Sequence, residues 1–215
     1  HGGLLKPRKG INLPSTAISL PCITPKDASD LDFALEQDVD WIGLSFVRNA
    51  ADIHELRGLI QKAGKHARII AKIEKPEALE DLDAILEATD AVMVARGDLG
   101  VEIPMQEVPM VQKDIIRRCM AIGRPVIVAT QMMESMIESA VPTRAEVNDV
   151  ANAVLDGADA VMLSAETSVG AYPVEAVSAM TLIVESMEVH DGMYYYERPP
   201  LSKSDKRFVS DSMCY

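Results

Sequence analysis

Residues 68–76 read Arg-Ile-Ile-Ala-Lys-Ile-Glu-Lys-Pro, an apolar run that ends in a lysine and a carboxylate. Such β-branched residues favour a buried β-strand, on which side chains alternate between the two faces. Lys72 and Glu74 are two residues apart, so we expect both to point the same way from the end of one strand. In α/β folds, strand ends of this kind carry the chemistry, and an ammonium beside a carboxylate suits a metal-bound phosphate.

The rest of the chain alternates between strand-like and helix-like patterns. Short apolar runs typical of a sheet buried on both faces occupy residues 41–47, 68–73, 91–95, 125–129 and 159–164. Helical spacing of apolar residues occurs between and after these runs, at residues 79–86, 108–122, 147–154 and 174–184. This alternation predicts a parallel sheet whose strands are joined by helices.

A weak internal repeat supports the same architecture. The run Asp-Ala-Val-Met-Val at residues 90–94 returns as Asp-Ala-Val-Met-Leu at 159–163, and Asp40 likewise precedes a strand pattern. Five repeated βα units fit either a doubly wound sheet or part of a (βα)₈ barrel. Polar residues follow every strand, which favours the rim of a barrel over a single switch point. These residues are Ser45, Lys72, Glu74, Arg96, Gly97, Asp98, Thr130, Gln131, Ser164 and Glu166. The predicted fold class is therefore α/β, a partial TIM (βα)₈ barrel.

Composition excludes several classes of partner. The 215 residues are 48% hydrophobic and carry 33 acidic against 21 basic side chains, a formal net charge of −12. This charge argues against a nucleic-acid or anionic-membrane surface. No apolar run approaches the ~18 residues that a membrane span needs. The three cysteines suggest neither a disulfide framework nor a zinc site, so we expect a reducing, cytoplasmic environment.

Both ends of the chain differ from its middle. Residues 6–14 are basic and punctuated by proline and glycine, and residues 193–204 combine three tyrosines with Pro-Pro. The chain lacks an initiator methionine, so we expect it to be cut at both ends. The predicted organisation is the tail of another domain at 1–14, half a barrel at 15–192, and a linker with the start of a further domain at 193–215.

The strand-end residues allow chemical and structural interpretations. Glu74 and Asp98 could share a Mg²⁺ or Mn²⁺ ion, since both cations prefer oxygen ligands, or could be solvated loop acids. Lys72 could stabilise negative charge that develops during a reaction, or could form a salt bridge with Glu74. Gly97 could let backbone N–H groups approach an anion, or could serve a plain turn. Thr130, like Ser164, could be a packing residue.

Six motifs resemble those of the pyruvate kinase family, in the family's order and over nearly the whole chain. They are KGINLP at residues 9–14, AKIE at 71–74, MVARGDLG at 93–100, ATQM with ESM at 129–136, PTRAE at 142–146 and MLSAET at 162–167. The resemblance implies a (βα)₈ barrel, with an inserted β domain and a C-terminal domain. It also implies phosphoryl transfer from phosphoenolpyruvate to ADP in glycolysis, giving pyruvate and ATP, in a cytoplasmic homotetramer with Arg96 and Arg144 near a subunit interface.

The resemblance also implies roles for individual residues. Glu74 and Asp98 would hold Mg²⁺ or Mn²⁺, and Lys72 would face the transferring phosphoryl group. Backbone N–H groups of Gly97 and Asp98, with the Thr130 hydroxyl, would bind the substrate carboxylate. Further roles fall on Thr130, Ser164 and Glu166 in protonating the enolate, and on Lys9 in contacting the nucleotide. Ala165 replaces the family's usual glycine.

By the same resemblance, part of the site would lie outside the chain. The first three barrel strands, which carry the K⁺ ligands and an arginine, would precede His1. We therefore expect the chain to hold the Mg²⁺ and carboxylate half of the site and to be inactive alone. Two alternatives remain: a Mg²⁺-dependent lyase or aldolase acting on pyruvate or phosphoenolpyruvate, and a non-catalytic barrel fragment.

Overall fold

The computed structural model describes residues 21–190. Lys9 and the predicted segments 1–14 and 193–215 lie outside the described residues. The strands are β1 (Trp41–Leu44), β2 (Arg68–Ile73), β3 (Ala91–Ala95), β4 (Val126–Ala129) and β5 (Ala160–Met162). The α-helices are α1 (Pro25–Glu36), α2 (Ala50–Lys62), α3 (Pro76–Glu80), α4 (Leu82–Ala88), α5 (Arg96–Glu102), α6 (Val108–Ile122), α7 (Arg144–Leu155), α8 (Ala165–Ser168) and α9 (Pro173–Glu188). Short 3₁₀ helices cover Met105–Glu107 and Glu134–Ile137.

The five strands form one parallel sheet in chain order, β1-β2-β3-β4-β5. A doubly wound sheet would reverse its strand order at a switch point, and no reversal occurs in the described part of the chain. A sheet that always adds its next strand on the same side is the arrangement of a (βα)₈ barrel. The prediction of a partial barrel is confirmed, and all strand ends with polar residues lie along one rim.

The two faces of the sheet differ in their neighbours. Alternate strand residues, among them Ile69, Ala71, Val94 and Val128, belong to the main apolar core with residues of the helices. In β2 the intervening side chains of Ile70 and Lys72 are only half-buried. Period-two alternation therefore puts Lys72 on the face opposite the helices, which is the interior side of the barrel.

The repeated aspartates have a structural role at the starts of strands. Asp90 precedes β3, and its Oδ2 accepts the backbone N–H of Ile69 at 2.8 Å. Asp159 precedes β5, and its Oδ2 accepts the N–H of Val126 at the same distance. In each case a carboxylate accepts an N–H at the start of the preceding strand, from the second residue of β2 and the first residue of β4, and so ties neighbouring strands together.

Several predicted elements differ in the structure from their apolar runs. Strand β1 ends at Leu44 because Phe46 lies in the left-handed region, with φ 55°. Strand β5 extends over only three residues. The helical pattern at 79–86 is divided into α3 and α4 at Asp81, whose carboxylate accepts the N–H of Ala50 at 2.8 Å.

The cysteines of the described residues are unpaired thiols. Cys119 is completely buried in α6, and burial raises the pKa of its thiol to about 12. Burial likewise raises the pKa of Cys22 to about 12. Neither is therefore ionised at neutral pH. Within residues 21–190, no helix has the length and apolar character of a membrane span.

Candidate functional site

Lys72 and Glu74 are in direct contact at the end of β2. The Nζ of Lys72 lies 2.7 Å from Oε1 of Glu74 and donates a hydrogen bond of 2.8 Å to the Ser45 hydroxyl at the end of β1. Glu74 is only 1% exposed, whereas the Lys72 side chain is 27% exposed. The salt bridge considered from the sequence is thus present, and it holds a buried carboxylate against a cation that reaches the barrel interior.

The second oxygen of Glu74 has a backbone partner. The N–H of Phe46 donates to Oε2 at 2.8 Å, from a residue in the left-handed conformation. This turn points a main-chain donor at the carboxylate, which is therefore fixed from two sides. No side-chain pattern predicts this contact, since Phe46 participates through its backbone rather than its side chain.

Asp98 lies in the first turn of α5, directly after β3. Its side chain is half-buried, and no hydrogen bond or ion pair of its carboxylate occurs among residues 21–190. Strands β2 and β3 are neighbours in the sheet, with Ile73 beside Val94, so Glu74 and Asp98 follow adjacent strand ends. One carboxylate is held rigidly, and the other has oxygens available to a ligand.

Gly97 and Thr130 are joined across the ends of β3 and β4. The Gly97 N–H donates to the Thr130 hydroxyl at 2.7 Å, and that hydroxyl donates to the Ala129 carbonyl at 2.6 Å. A Cβ on residue 97 would lie 3.3 Å from the same hydroxyl. The glycine therefore allows close approach between the two strand ends, and in this structure its N–H is already engaged.

Arg96 holds the turn after β4, which includes two non-glycine residues with positive φ. Thr130 has φ 69° and Gln131 has φ 52°. The guanidinium donates to the carbonyl of Thr130 at 2.8 Å and to that of Gln131 at 3.0 Å. It also forms an ion pair of 2.7 Å with Asp149 of α7. The Arg96 side chain is 10% exposed.

Glu166 is a buried connector between the ends of β4 and β5. It is 3% exposed, and its two oxygens accept the N–H groups of Met133 at 3.2 Å and Ser164 at 2.7 Å. The Ser164 hydroxyl lies immediately beside this connection in sequence. Glu166 thereby fixes the backbone of Ser164, while its own oxygens are engaged by main-chain donors.

The donor chemistry of the rim fits Mg²⁺ or Mn²⁺. Within residues 21–190, no group of three or more His, Cys, Asp or Glu side chains is arranged to hold a metal ion. Two carboxylates at adjacent strand ends match Mg²⁺, which takes one or two protein carboxylates and completes its shell with water and substrate oxygens. In this structure both Glu74 oxygens are engaged, Oε1 by the Lys72 ammonium and Oε2 by the Phe46 N–H, so a metal ion bound to Glu74 would have to share these oxygens with their present partners.

Comparison with known proteins agrees with this geometry. The family model for the pyruvate kinase barrel domain matches residues 1–177, which is most of the chain. The chain belongs to the pyruvate kinase family. Pyruvate kinase 2 of Synechocystis is 57% identical over 190 residues, which cover 88% of this chain and 32% of that protein. A pyruvate kinase of Agrobacterium vitis is 56% identical over 207 residues, covering 96% and 42% respectively. One from Bacillus licheniformis is 53% identical over 189 residues, covering 87% and 32%.

The chain therefore spans between about a third and two fifths of the length of these pyruvate kinases. Its described rim brings Lys72 against Glu74 and Gly97 against Thr130. Sequence reasoning missed the partners that hold this rim of the pyruvate kinase barrel, notably the Phe46 N–H and the Lys75–Glu102 ion pair. The sequence spacing could have predicted that ion pair: Lys75 directly follows Glu74, and Glu102 lies four residues, about one helical turn, after Asp98.

Proposed function

We propose that the protein containing this chain transfers a phosphoryl group from phosphoenolpyruvate to ADP, giving pyruvate and ATP. One observation carries the proposal: Lys72 and Glu74 are in contact at 2.7 Å at the end of β2 on the barrel rim, and Gly97 and Thr130 are in contact across the ends of the next two strands, β3 and β4. Membership of the pyruvate kinase family supports this reaction over the many others that (βα)₈ barrels perform. We also propose that the enzyme is a cytoplasmic homotetramer.

Glu74 and Asp98 are the proposed ligands of Mg²⁺ or Mn²⁺. When bound, the ion would neutralise negative charge on the phosphoryl group and on the enolate oxygen. Glu74 would contribute a carboxylate already fixed by the Phe46 N–H, and Asp98 a carboxylate with unengaged oxygens. K⁺ is a further expected cofactor, and we assign it no ligand in this chain.

Lys72 is the proposed phosphoryl-facing residue. Its ammonium is partly exposed on the barrel interior and is oriented by Ser45 and Glu74. Phosphoryl transfer depends mainly on positioning and on neutralising charge, and a cation fixed by two contacts supplies both. Because the lysine is oriented before substrate binds, little reorganisation would accompany the reaction.

Thr130 is the proposed contact for the substrate carboxylate, with the backbone of Gly97 and Asp98. Protonation of the enolate is assigned to the Thr130 hydroxyl, with Ser164 and Glu166 behind it. In the described structure the Thr130 hydroxyl is occupied by Gly97 and Ala129, so substrate would have to exchange with these partners. Glu166 would act by holding the Ser164 backbone rather than by contacting substrate. Lys9 is the proposed nucleotide contact.

A chimera tests the proposal. The matched segment of Synechocystis pyruvate kinase 2 would be replaced by the 190 residues of this chain that align with it, and pyruvate formation from phosphoenolpyruvate and ADP would be measured by coupled NADH oxidation. We expect an active chimera that loses at least ~100-fold in kcat with Lys72→Met or Glu74→Gln, as removal of charge-stabilising groups does elsewhere. A folded but inactive chimera, or one indifferent to both substitutions, would contradict the proposal.

The isolated chain provides the complementary measurement. We expect the 215 residues alone to form pyruvate far more slowly than the chimera, because the relatives contain more than twice their length. Comparable rates would refute the assignment of half a site. Release of pyruvate from a hydroxy-keto acid without nucleotide would instead favour the lyase or aldolase alternative.

A further inference from the structure

Lys75 and Glu102 form an ion pair that no step of the proposed reaction uses. Lys75 Nζ lies 2.6 Å from Glu102 Oε1, and the two side chains are only 13% and 5% exposed. The ammonium also lies 5.9 Å from the centre of the Phe46 ring. Removing both charges from water is costly, so such a pair needs a reason beyond surface electrostatics.

The pair is placed next to both proposed metal ligands. Lys75 immediately follows Glu74, and Glu102 lies four residues after Asp98 in α5. Residues four apart on a helix share a face, so Asp98 and Glu102 both face the end of β2. The ion pair therefore links the segment that carries one carboxylate to the helix that carries the other.

Stability of α5 itself does not account for Glu102. The residue ends the helix, where a negative charge is unfavourable for the helix dipole. The helix has only seven residues and no side-chain cap at its N-terminus, so its position depends on tertiary contacts. At its first turn it is held by the hydrogen bond from Gly97 to Thr130, and at its last turn by Lys75.

We propose that the Lys75–Glu102 ion pair is a positioning device that fixes the separation of the Glu74 and Asp98 carboxylates. The inference rests on the proposed metal site and adds two residues that support it without contacting the metal. Groups that hydrogen-bond a metal ligand directly affect metal affinity by about 10- to 100-fold, and a pair that acts through the backbone of the ligand segments is expected at the lower end of that range. Loss of the pair would let α5 shift relative to β2 and would misplace Asp98.

The charge-balanced double variant Lys75→Met/Glu102→Gln separates this role from simple electrostatics. Removing one positive and one negative charge leaves the net charge unchanged, so a purely electrostatic effect on a nearby cation would largely cancel. If the ion pair positions the two carboxylates, the double variant should bind the metal ion more weakly than wild type. A purely structural role would lower the melting temperature without changing the metal affinity of the folded protein.

Mn²⁺ alone serves as the probe, with free ion counted by electron paramagnetic resonance on the full 215-residue chain. Measurements are made at a temperature where circular dichroism shows each variant folded. We expect the double variant to bind Mn²⁺ about tenfold more weakly than wild type. The matched control Lys113→Met/Asp156→Asn removes an ion pair between α6 and the end of α7, and should leave affinity within about twofold.

Two further variants make the outcomes decisive. Glu102→Asp keeps both charges of the Lys75–Glu102 ion pair, here called the tether, but shortens the acidic side chain by one methylene group. This variant should also weaken Mn²⁺ binding. It therefore provides the test if the double variant fails to fold. Glu74→Gln should abolish binding; if it does not, the metal site and the tether are both overturned. If Glu74→Gln abolishes binding while the Lys75 and Glu102 variants bind as wild type, the tether alone is overturned.

Discussion

Thr130 combines an unfavourable backbone conformation with a central place in the site. A β-branched residue at φ 69° is a rare case that costs of order 1–3 kcal/mol. Its carbonyl is held by Arg96, and its hydroxyl accepts the Gly97 N–H at 2.7 Å. These contacts maintain the strained turn, which places the hydroxyl at the boundary between two strand ends.

Removing that hydroxyl tests its structural contribution. Thr130→Val leaves the Gly97 N–H without its acceptor, so we expect the free energy of unfolding in urea to fall by about 1–3 kcal/mol. Thr130→Ser should retain most of the stability. The control Thr181→Val removes an exposed hydroxyl that bonds the Val177 carbonyl in α9, and should change stability by less than about 0.5 kcal/mol. Equal effects at positions 130 and 181 would contradict the role given to Thr130.

Contacts between individual residues could be predicted from the sequence only where the two residues belong to the same strand or helix and its periodicity places them together. Lys72 and Glu74 are two residues apart on one strand, so their contact followed from alternation. The Phe46 N–H comes from a segment 28 residues from Glu74, and Thr130 and Asp149 lie 34 and 53 residues from Arg96. Their approach depends on turn conformations and packing that no local pattern in the chain encodes.

Among the elements, α7 is anchored through a carboxylate at its N-terminus. Glu146 forms a capping box with Thr143, and it accepts hydrogen bonds from both the backbone N–H and the hydroxyl of Ser135. Burial raises the pKa of Glu146, but the hydrogen bonds from Ser135 and Thr143 outweigh it and lower the pKa below its ordinary value of 4.5. The carboxylate thus connects α7 to the 3₁₀ helix that follows the Thr130 turn.

We predict that Glu146→Gln lowers the free energy of unfolding at pH 7 by about 1–3 kcal/mol, because an amide presents N–H groups to donors. A lowered pKa means that this stabilisation is complete above pH 5 and is lost as pH falls through the folded-state pKa. The difference between wild type and variant, followed by urea denaturation, should therefore shrink below pH ~4.5. Glu175→Gln, in the uncapped first turn of α9, is the control. A difference that persists at pH 3 would contradict the mechanism.

Element boundaries were predictable where they coincide with a change of composition. Strands β2 and β3 and helix α6 have the limits that their apolar patterns gave. The division between α3 and α4 could not be predicted in this way, because it depends on a hydrogen bond from the Ala50 N–H of α2 to the Asp81 carboxylate. A long-range hydrogen bond overrides helical periodicity in this segment.

For the whole molecule, the dominant feature is a sheet whose outer strands each have one neighbour. In the described residues, β1 pairs only with β2, and β5 only with β4. Unpaired strand edges are templates for association with another chain. The net charge of −12 opposes association through repulsion but does not satisfy the backbone groups of an edge.

Static light scattering of the isolated chain should therefore give a mass above the 23.4 kDa of one copy. Ala160→Lys places a charge on exposed β5, where lysine discourages edge pairing, and should lower the average mass. The control Val189→Lys adds the same charge at an exposed residue after α9, and should have little effect. A single species of 23.4 kDa for wild type would refute the prediction.

The strand order also has a consequence for how the chain acquires its structure. Each strand pairs with the one synthesised just before it, so no strand between β1 and β5 waits for a distant partner. Such a sheet can grow from its N-terminal side as the polypeptide leaves the ribosome, one βα unit at a time. The Asp90 contact would then fasten the β3 unit to β2, and the Asp159 contact the β5 unit to β4, as each unit arrives.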